Sequence, residues 1–181
     1  MKFVIASDIH GSAYYMERLM QRVEAEQPDR ILLLGDLLYH GPRNDLPRDY
    51  APKKVIPVLN NLKERIIAVR GNCEAEVDQM VLDFPCMADF ATVTVEEGTL
   101  YLTHGHHHNP EHLPPLPKGT AFLSGHTHVG RNQWVNGVLC LNPGSVSIPK
   151  DGFHSYMVYE NGIFTRKDLD GECLFVQPWK E

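Results

Sequence analysis

The sequence predicts an α/β fold in which two β-sheets pack face to face with helices on the outside. Residues 1–69 alternate between strand-like and helical segments, a pattern typical of a parallel sheet covered by helices. After residue 82 the pattern is mostly strand-like, which indicates a second sheet. No repeat or linker separates the two halves, so we expect one domain over residues 1–181, and such a chain can bury roughly 70% of the surface that its unfolded form exposes.

In the first half, apolar runs predict three strands and apolar residues at helical spacing predict three helices. The strands cover residues 3–6, 31–34 and 66–69. Ser12 can cap the first helix, which ends before Pro28. Its apolar residues are Met16, Leu19, Met20 and Val23, those of the second helix are Val55, Val58, Leu59 and Leu62, and the third helix lies near Val77 to Leu82.

The second half is read as a series of short strands. They cover residues 91–95, 100–103, 121–124, 138–141 and 155–159, with a further strand from residue 163 onward. The Asn161-Gly162 dipeptide between the last two is a turn signal that pairs its flanking strands as a hairpin.

Composition and charge exclude several classes of protein. No apolar run reaches the 18 or so residues of a membrane span, and the N-terminal apolar stretch is too short for a signal peptide, so we expect a cytoplasmic protein with no membrane partner. The net charge is −6, and no basic run is longer than Lys53-Lys54. This balance argues against binding long nucleic acid, because such binding neutralises many phosphates with Lys and Arg.

The cysteines are widely spaced, at positions 73, 86, 140 and 173, with no CxxC pair. They therefore indicate neither a zinc ribbon nor a disulfide scaffold, and we expect most of them to be buried free thiols.

Large apolar residues follow Ser145. If they are exposed they predict a homo-oligomer interface, although amphipathic core strands have the same pattern. They include Phe153, Phe164, Phe175 and Trp179.

Polar clusters follow five of the strand-like runs. They are Asp8-Ile9-His10, Gly35-Asp36, Gly71-Asn72-Cys73-Glu74, His104-Gly105 and Gly125-His126-Thr127-His128. Because the carboxyl ends of parallel strands meet at one edge of a sheet, we expect these side chains to converge on a shared rim. Carboxylates, an amide and histidines together are the ligand set of a two-metal site. Two histidines in one glycine-bordered loop suit Mn, Fe or Zn better than Ca or Mg.

Each cluster also has a simpler interpretation when it is taken alone. Asp8 can cap the following helix, Gly35-Asp36 and Gly71-Asn72 can be ordinary turns, and the paired histidines can lie on the surface. The joint occurrence of five metal-competent clusters at strand ends favours the metal site.

The order of these clusters resembles the calcineurin-like metallophosphoesterase superfamily, over residues 8–128. The short length, Cys73 after Asn72, and the segments 40–44 and 142–145 are similar to the small prokaryotic phosphodiesterases of the YfcE type. The resemblance implies a four-layer α/β/β/α sandwich of two mixed β-sheets with flanking helices.

The resemblance also implies the metal ligands and the reaction. Asp8, His10 and His128 would hold one divalent ion, Asn72, His104 and His126 the other, and Asp36 would bridge them. The ions expected are Mn first, with Ni, Fe or Zn as alternatives. The implied activity is hydrolysis of a small soluble phosphate diester by a metal-bridging hydroxide.

Cys73 departs from the pattern of the superfamily. In many members the residue after the asparagine is a histidine that is thought to protonate the leaving alcohol. A thiol is a poorer proton donor, so we expect weak turnover of monoesters with poor leaving groups and better turnover of diesters. Alternatively, Cys73 only fills the turn.

Two further side chains are candidates for contact with the phosphate. His106, within the run 104–108, can reach it, although such runs are usually solvated. Arg43, on the loop 39–52 that follows Asp36, can pair with a phosphate oxygen or remain a solvated loop charge.

Two other functions are compatible with the same resemblance. A protein-interaction scaffold of this fold is disfavoured because all seven ligand positions are filled. A nuclease subunit is disfavoured because the chain lacks a basic surface and a capping domain.

Overall fold

The strands and helices follow the predicted order in the computed structural model, which describes residues 1–180. The elements are β1 (Lys2–Ala6), α1 (Ala13–Glu26), β2 (Arg30–Leu33), α2 (Pro52–Asn60), β3 (Ile66–Ala68), α3 (Glu76–Val81), β4 (Phe90–Val95), β5 (Gly98–Thr103), β6 (Ala121–Leu123), β7 (Arg131–Val135), β8 (Val138–Asn142), β9 (Ser155–Glu160), β10 (Ile163–Asp168) and β11 (Cys173–Pro178).

Helix α1 begins as its sequence predicts. The Ser12 hydroxyl accepts a hydrogen bond from the Tyr15 N–H at 3.2 Å, which satisfies one of the free amides of the first turn. The helix then buries Met16, Leu19 and Val23. Within residues 1–180 we find no helix with the length and apolarity needed to cross a bilayer.

The strands form two mixed sheets. The six-stranded sheet has the order β11-β10-β9-β1-β2-β3, and the five-stranded sheet has the order β4-β5-β6-β8-β7. Strands β1, β2 and β3 are parallel to one another, as are β5, β6 and β8, while the remaining pairings are antiparallel. The predicted fold of two mixed sheets is therefore confirmed.

Strand β1 shows why the runs near the chain start are continuously apolar. Val4 and Ala6 pack into the core beneath the helices, whereas Phe3 and Ile5 pack into the core between the sheets. A strand that is buried on both faces needs apolar residues at every position, not only at alternate ones.

The helical layers differ between the two sheets. All three helices lie within the first 81 residues, and those residues of α1 and α2 that are buried belong to the core on the outer face of the six-stranded sheet. On the outer face of the five-stranded sheet, Leu113 and Leu116 of the segment 105–120 pack on Tyr101 and Phe122. On this face a long loop covers the apolar residues of the sheet, as helices do on the outer face of the six-stranded sheet.

Strand β7 was not predicted from the sequence. It is an edge strand with the polar sequence RNQWV, and its middle three residues are exposed. An edge strand with little buried surface lacks the apolar alternation on which strand prediction depends. Strand β11, the edge of the other sheet, was likewise not predicted as a separate strand.

The proposed oligomer face at the C-terminal end is largely core. Phe164 and Trp179 are fully buried and Phe175 packs against them, so of the two interpretations that the sequence left open these three residues follow the core one. Phe164 lies on β10, Phe175 on β11 and Trp179 directly after β11, in the core between the sheets. Phe153 is exposed, and self-association stays a prediction.

The four cysteines are free thiols, as expected, but only two of the four are buried, so the expectation that most of them are buried was wrong. Cys86 and Cys140 are buried, Cys73 is half-buried and Cys173 is exposed.

Candidate metal centre

Three histidine rings are oriented in the same way at the carboxyl ends of the parallel strands. Their Nδ1 atoms contact backbone carbonyl oxygens: His10 that of Tyr39 at 2.8 Å, His104 that of Leu34 at 2.6 Å, and His128 that of Ile148 at 2.7 Å. Because a carbonyl oxygen only accepts hydrogen bonds, each Nδ1 carries the proton. In the neutral ring, Nε2 then presents a lone pair to the centre of the site.

The first group of lone pairs surrounds Asp8. Its Oδ1 atom lies 3.1 Å from Nε2 of His128 and 3.5 Å from Nε2 of His10, and the two Nε2 atoms lie 3.3 Å apart. The same Oδ1 atom is buried and accepts no hydrogen bond from any group in residues 1–180. Three acceptors that face one another without a proton between them repel, unless a cation occupies the space they enclose. This donor set fits a divalent metal ion.

Asp36 joins this group to a second one. Its Oδ2 atom lies 3.3 Å from Nε2 of His104 and 3.7 Å from Nε2 of His10. On the other side, His104 Nε2 lies 3.1 Å from Oδ1 of Asn72. A single carboxylate therefore faces ligand atoms of both groups. Candidate ligand atoms lie within 4.8 Å of one another in the sets Asp8-His10-His128, Asp8-Asp36-His104 and His10-Asp36-Cys73.

His126 is held in the site by its backbone. Its N–H donates to Oδ2 of Asp8 at 3.1 Å, and its half-buried ring lies 5.1 Å from the ring of His104, measured between centroids. The ring belongs to none of the three sets. The structure thus places His126 beside the second group of ligands and assigns it no direct contact there.

The electrostatics of the site favour a cation. Burial by itself lowers the pKa of His104, but the carboxylates of Asp36 and Asp8 outweigh burial and raise it to about 9. Burial conversely raises the pKa of Asp8, while His10 and His128 hold it well below its usual range. The carboxylates stabilise positive charge at the centre, which a metal ion supplies without protonating the ligands.

Strained backbone marks the same residues. Nine non-glycine residues of the described chain have a positive φ, and five of them are Asp8, His10, Asp36, His126 and His128. A non-glycine residue in the left-handed region costs roughly 1–2 kcal/mol. Because the loops turn sharply directly after each strand, Asp8 and His10 can point to one centre although a regular strand would direct alternate side chains to opposite faces.

Glu74 holds two of these loops together. Its buried carboxylate accepts hydrogen bonds from the N–H groups of Leu37 at 2.7 Å and Asp36 at 2.9 Å, and a further one from Gly71. It thereby fixes the backbone of the Asp36 turn against the loop that carries Asn72. The sequence motif contained Glu74, but its role was not predicted because its partners lie 37 and 38 positions away.

Two glycines permit the close approach of these loops. A Cβ atom on Gly71 would lie 2.1 Å from Oδ1 of Asp36, and one on Gly125 would lie 1.9 Å from the Ser7 hydroxyl. Both distances are far shorter than a van der Waals contact, so a larger residue at either position would displace the ligand loops.

The end of β8 and the loop after it hold the backbone of the Asp8 and His126 loops by hydrogen bonds. The hydroxyls of Ser145 and Ser147 donate to the backbone carbonyl of Asp8 at 2.9 and 3.1 Å. Asn142 donates to the carbonyl of Gly125 at 2.8 Å, next to His126. In the sequence this segment is recognisable only as part of the resemblance, and nothing in it predicts a supporting role.

Comparison with known proteins agrees with this geometry. The family model of the calcineurin-like phosphoesterase superfamily domain matches residues 1–161. The chain belongs to the calcineurin-like phosphoesterase superfamily. The resemblance inferred from the strand-end clusters is therefore confirmed.

Members with curated names lie at two levels of similarity. The chain is 43% identical over 178 residues to "Phosphodiesterase YfcE" of Escherichia coli strain K12, which covers 98% of this chain and 97% of the relative. It is 25% identical over 152 residues to "Phosphodiesterase MJ0936" of Methanocaldococcus jannaschii, which covers 80% of this chain and 83% of the relative. These relatives support the prediction of a phosphodiesterase enzyme.

Solved structures show the same fold. The structure of YfcE, a phosphoesterase from E. coli, superposes with a TM-score of 0.96 at 42% identity and covers 99% of this chain and 100% of that one. Vacuolar protein sorting 29 from Cryptosporidium parvum superposes with a TM-score of 0.64 at 18% identity, covering 97% and 95%. The second likeness shows a shared fold alone.

Cys73 lies beside the Asp36 carboxylate. Its backbone N–H donates to Oδ1 of Asp36 at 2.9 Å, and its half-buried thiol lies 3.3 Å from the side-chain nitrogen of Asn72. Burial raises the pKa of the thiol, and the Asp36 carboxylate raises it further. Without a bound ion, Cys73 therefore stays a neutral thiol.

His106 lies beside His104. Its ring centroid is 5.4 Å from that of His104, and its Nδ1 atom is buried without a hydrogen-bond partner among residues 1–180. Burial lowers its pKa to about 4, and His104 contributes to this shift. The ring next to the predicted metal ligand is thus a neutral imidazole.

An open cavity of about 430 Å³ gives access to the site. The predicted ligands Asp36, Asn72, His126 and His128 line it, together with Arg43, Asn44, Thr127 and Lys150. The sequence predicts Arg43 as a candidate for contact with phosphate. It does not predict Lys150, because a single lysine in a loop carries no signal.

Proposed function

We propose that the chain is a phosphodiesterase that holds two divalent metal ions and hydrolyses a small soluble phosphate diester. The observation that carries this proposal is the position of Asp36, whose Oδ2 atom faces Nε2 of His104 at 3.3 Å and Nε2 of His10 at 3.7 Å. A carboxylate between two groups of convergent acceptors suits a ligand shared by two ions.

The proposed ligands divide into two sets, with Asp36 common to both. Asp8, His10 and His128 hold one ion, and Asn72, His104 and His126 hold the other. Sites rich in imidazole suit Mn, Ni, Fe or Zn, and we place Mn first as in the sequence-based prediction. When bound, two such ions activate water for attack on phosphorus, orient the phosphate oxygens and neutralise charge in the transition state.

The chain itself prepares the ligands for this chemistry. The carbonyls of Tyr39, Leu34 and Ile148 fix the tautomer and the plane of the three rings. Each ring is therefore held in the orientation that directs Nε2 to the centre of the site. Glu74 holds the Asp36 turn in place. The folded backbone of the strained loops already fixes the positions of the ligand side chains. Less conformational entropy is therefore lost when the site is assembled.

The relatives named phosphodiesterase are the basis for proposing a diester, and Cys73 bears on how the leaving group departs. Hydrolysis forms a bond from phosphorus to the oxygen of water, breaks one ester bond and passes a proton to the departing alkoxide. A neutral thiol with a raised pKa is a poor proton donor, so Cys73 assists this step little. We propose His106 as the residue that contacts the phosphate, because its ring centroid lies 5.4 Å from that of the proposed ligand His104.

The substrate is proposed to be small. A cavity of about 430 Å³ lies within the range of sites that take small molecules.

The test compares hydrolysis of bis-p-nitrophenyl phosphate and p-nitrophenyl phosphate by metal-stripped protein, with Mn, Ni, Zn or Mg added back. We expect activity on the diester to return with Mn or Ni. Asp36→Asn should lower kcat/KM by at least about 100-fold, because a shared metal ligand is lost. The matched control is Asp83→Asn, which makes the same charge change at an exposed residue paired with Lys63, and it should keep full activity.

Two outcomes would contradict the proposal. Full activity of Asp36→Asn would remove Asp36 from the reaction. Bound metal without hydrolysis of either ester would favour the interaction scaffold.

A further inference from the structure

Two positively charged side chains line the metal cavity without belonging to the ligand set. Arg43 comes from the loop before α2, and Lys150 comes from the loop between β8 and β9. They share the cavity with the proposed ligands Asp36, Asn72 and His128. The other lining residues are also polar, so this cavity offers charge and hydrogen bonds to a ligand.

The backbone around Lys150 is attached to a proposed metal ligand. The Lys150 N–H donates to the backbone carbonyl of His128 at 2.9 Å, and the carbonyl of Ile148 accepts from the ring of His128 at 2.7 Å. The lysine is therefore placed relative to the metal centre by two hydrogen bonds to one residue. Its side chain can move, but the point from which it extends is fixed.

The nearest acidic residue in sequence does not neutralise Lys150. Oδ2 of Asp151 accepts from the Arg166 guanidinium at 2.7 Å and from the Gly130 N–H at 2.8 Å. Across residues 1–180 we find no ion pair from the Lys150 ammonium or the Arg43 guanidinium to a carboxylate. Two positive charges are thus available to a ligand in the cavity.

These charges exceed what the reacting phosphate needs. Under the proposed function, two divalent ions already carry more positive charge than Asp8 and Asp36 cancel, while a simple diester carries a single negative charge. A cavity that adds an arginine and a lysine to such a centre, in a chain of net charge −6, is complementary to a ligand with more than one negative charge.

We propose that Arg43 and Lys150 bind a second anionic group on the substrate, a phosphate or a carboxylate, and so select diesters that carry an additional negative charge. This inference rests on the proposed function and adds the substrate class. The arginine can hold two anion oxygens at once, whereas the lysine acts as a mobile point charge.

The experiment uses pairs of substrates that release the same p-nitrophenol and differ in one anionic group. The phosphate pair is the p-nitrophenyl ester of thymidine 5′-phosphate with and without a 3′-phosphate. The carboxylate pair is p-nitrophenyl 3-carboxypropyl phosphate and p-nitrophenyl butyl phosphate. We expect the Mn-loaded protein to prefer the more anionic member of at least one pair by about tenfold in kcat/KM, and to lose this preference as salt is added. The pair that shows it identifies the anion.

Variants then assign the preference to the two residues. Lys150→Gln and Arg43→Gln should each reduce it several-fold, mainly through KM, and Lys150→Arg should retain most of it. The matched control is Lys118→Gln, which makes the same charge change at an exposed residue. Lys118 precedes β6 and the proposed ligand His126 follows it, so the two residues flank opposite ends of that strand. This control should keep the preference unchanged.

The two proposals fail in different ways. Absence of hydrolysis of every ester with each of Mn, Ni, Zn and Fe would contradict the proposed function. Hydrolysis of both members of each pair with equal kcat/KM would overturn this inference alone. An unchanged preference in both Lys150→Gln and Arg43→Gln would also overturn it.

Discussion

The Nε2 atom of His10 lies 3.3 Å from the Nε2 atom of His128, although 118 positions separate the two residues in the sequence. Both rings use Nδ1 on a backbone carbonyl, so in the neutral state neither Nε2 can donate to the other. Two unprotonated nitrogens at this distance destabilise the folded state until a cation binds between them and Asp8.

We therefore expect metal to stabilise the folded protein. Mn at 100 times its dissociation constant should add about 2.7 kcal/mol to the free energy of unfolding, which differential scanning calorimetry measures as a rise in Tm. His128→Ala should lose most of this rise, whereas His112→Ala, at an exposed residue, should keep it. A Tm that does not respond to Mn, Ni or Zn would contradict the metal centre itself.

Cys73 should make the rate depend on the leaving group. We expect kcat/KM to be at least about tenfold higher for p-nitrophenyl methyl phosphate than for phenyl methyl phosphate, because p-nitrophenolate departs without a proton whereas the more basic phenolate needs one that the thiol does not supply. Steady-state kinetics with Mn measure this ratio. Equal rates on the two diesters would show that another group protonates the leaving group.

Glu74→Gln should weaken metal binding without removing a ligand. The amide nitrogen would replace one of the two oxygens that accept from the N–H groups of Leu37, Asp36 and Gly71, so a donor would face a donor. Isothermal titration calorimetry should show a roughly 10–100-fold loss of Mn affinity. Glu76→Gln, two residues further on and exposed, is the control that should bind Mn normally. An unaltered affinity in Glu74→Gln would mean that the Asp36 turn holds its shape by itself.

Asp151→Asn should destabilise the fold in a way that depends on pH. Burial raises the pKa of Asp151, but hydrogen bonds from the Gly130 and Phe153 amides and from Arg166 outweigh it, and the folded-state pKa lies below the ordinary 3.8. A carboxyl group with a lowered pKa contributes its full stability above the unfolded value, and this contribution is lost as the pH falls through the folded value.

We expect Asp151→Asn to cost about 2 kcal/mol at pH 7, because the buried Arg166 loses its charged partner. The difference from the native chain should shrink below pH 4, as urea denaturation at several pH values can measure. The control is Asp170→Asn, which removes an exposed partner of Arg18 and should cost under about 1 kcal/mol at any pH. A cost that does not vary with pH would assign the effect to packing instead of charge.

The sequence by itself determined the class of fold, the family and the positions at which ligand-type residues end the strands. These features are local, because an apolar run of β1 that stops at Asp8, or of β2 that stops before Asp36, is visible without knowing its neighbours. The same local signal fails for β7, whose exposed polar residues at a sheet edge need no apolar alternation.

The tertiary structure decided which groups that are distant in the sequence come into contact, because local sequence patterns do not contain this information. It brought the Asp8 carbonyl to the hydroxyl of Ser145, which lies 137 positions away, and directed the Glu74 carboxylate to the Asp36 turn. It also buried Phe164 and Trp179 between the sheets, where the sequence alone left exposure open. Hydrogen-bond geometry and burial arise only when the two sheets pack, so the hydrogen bonds that support the ligand loops and the position of Lys150 in the cavity could be recognised only in the folded chain.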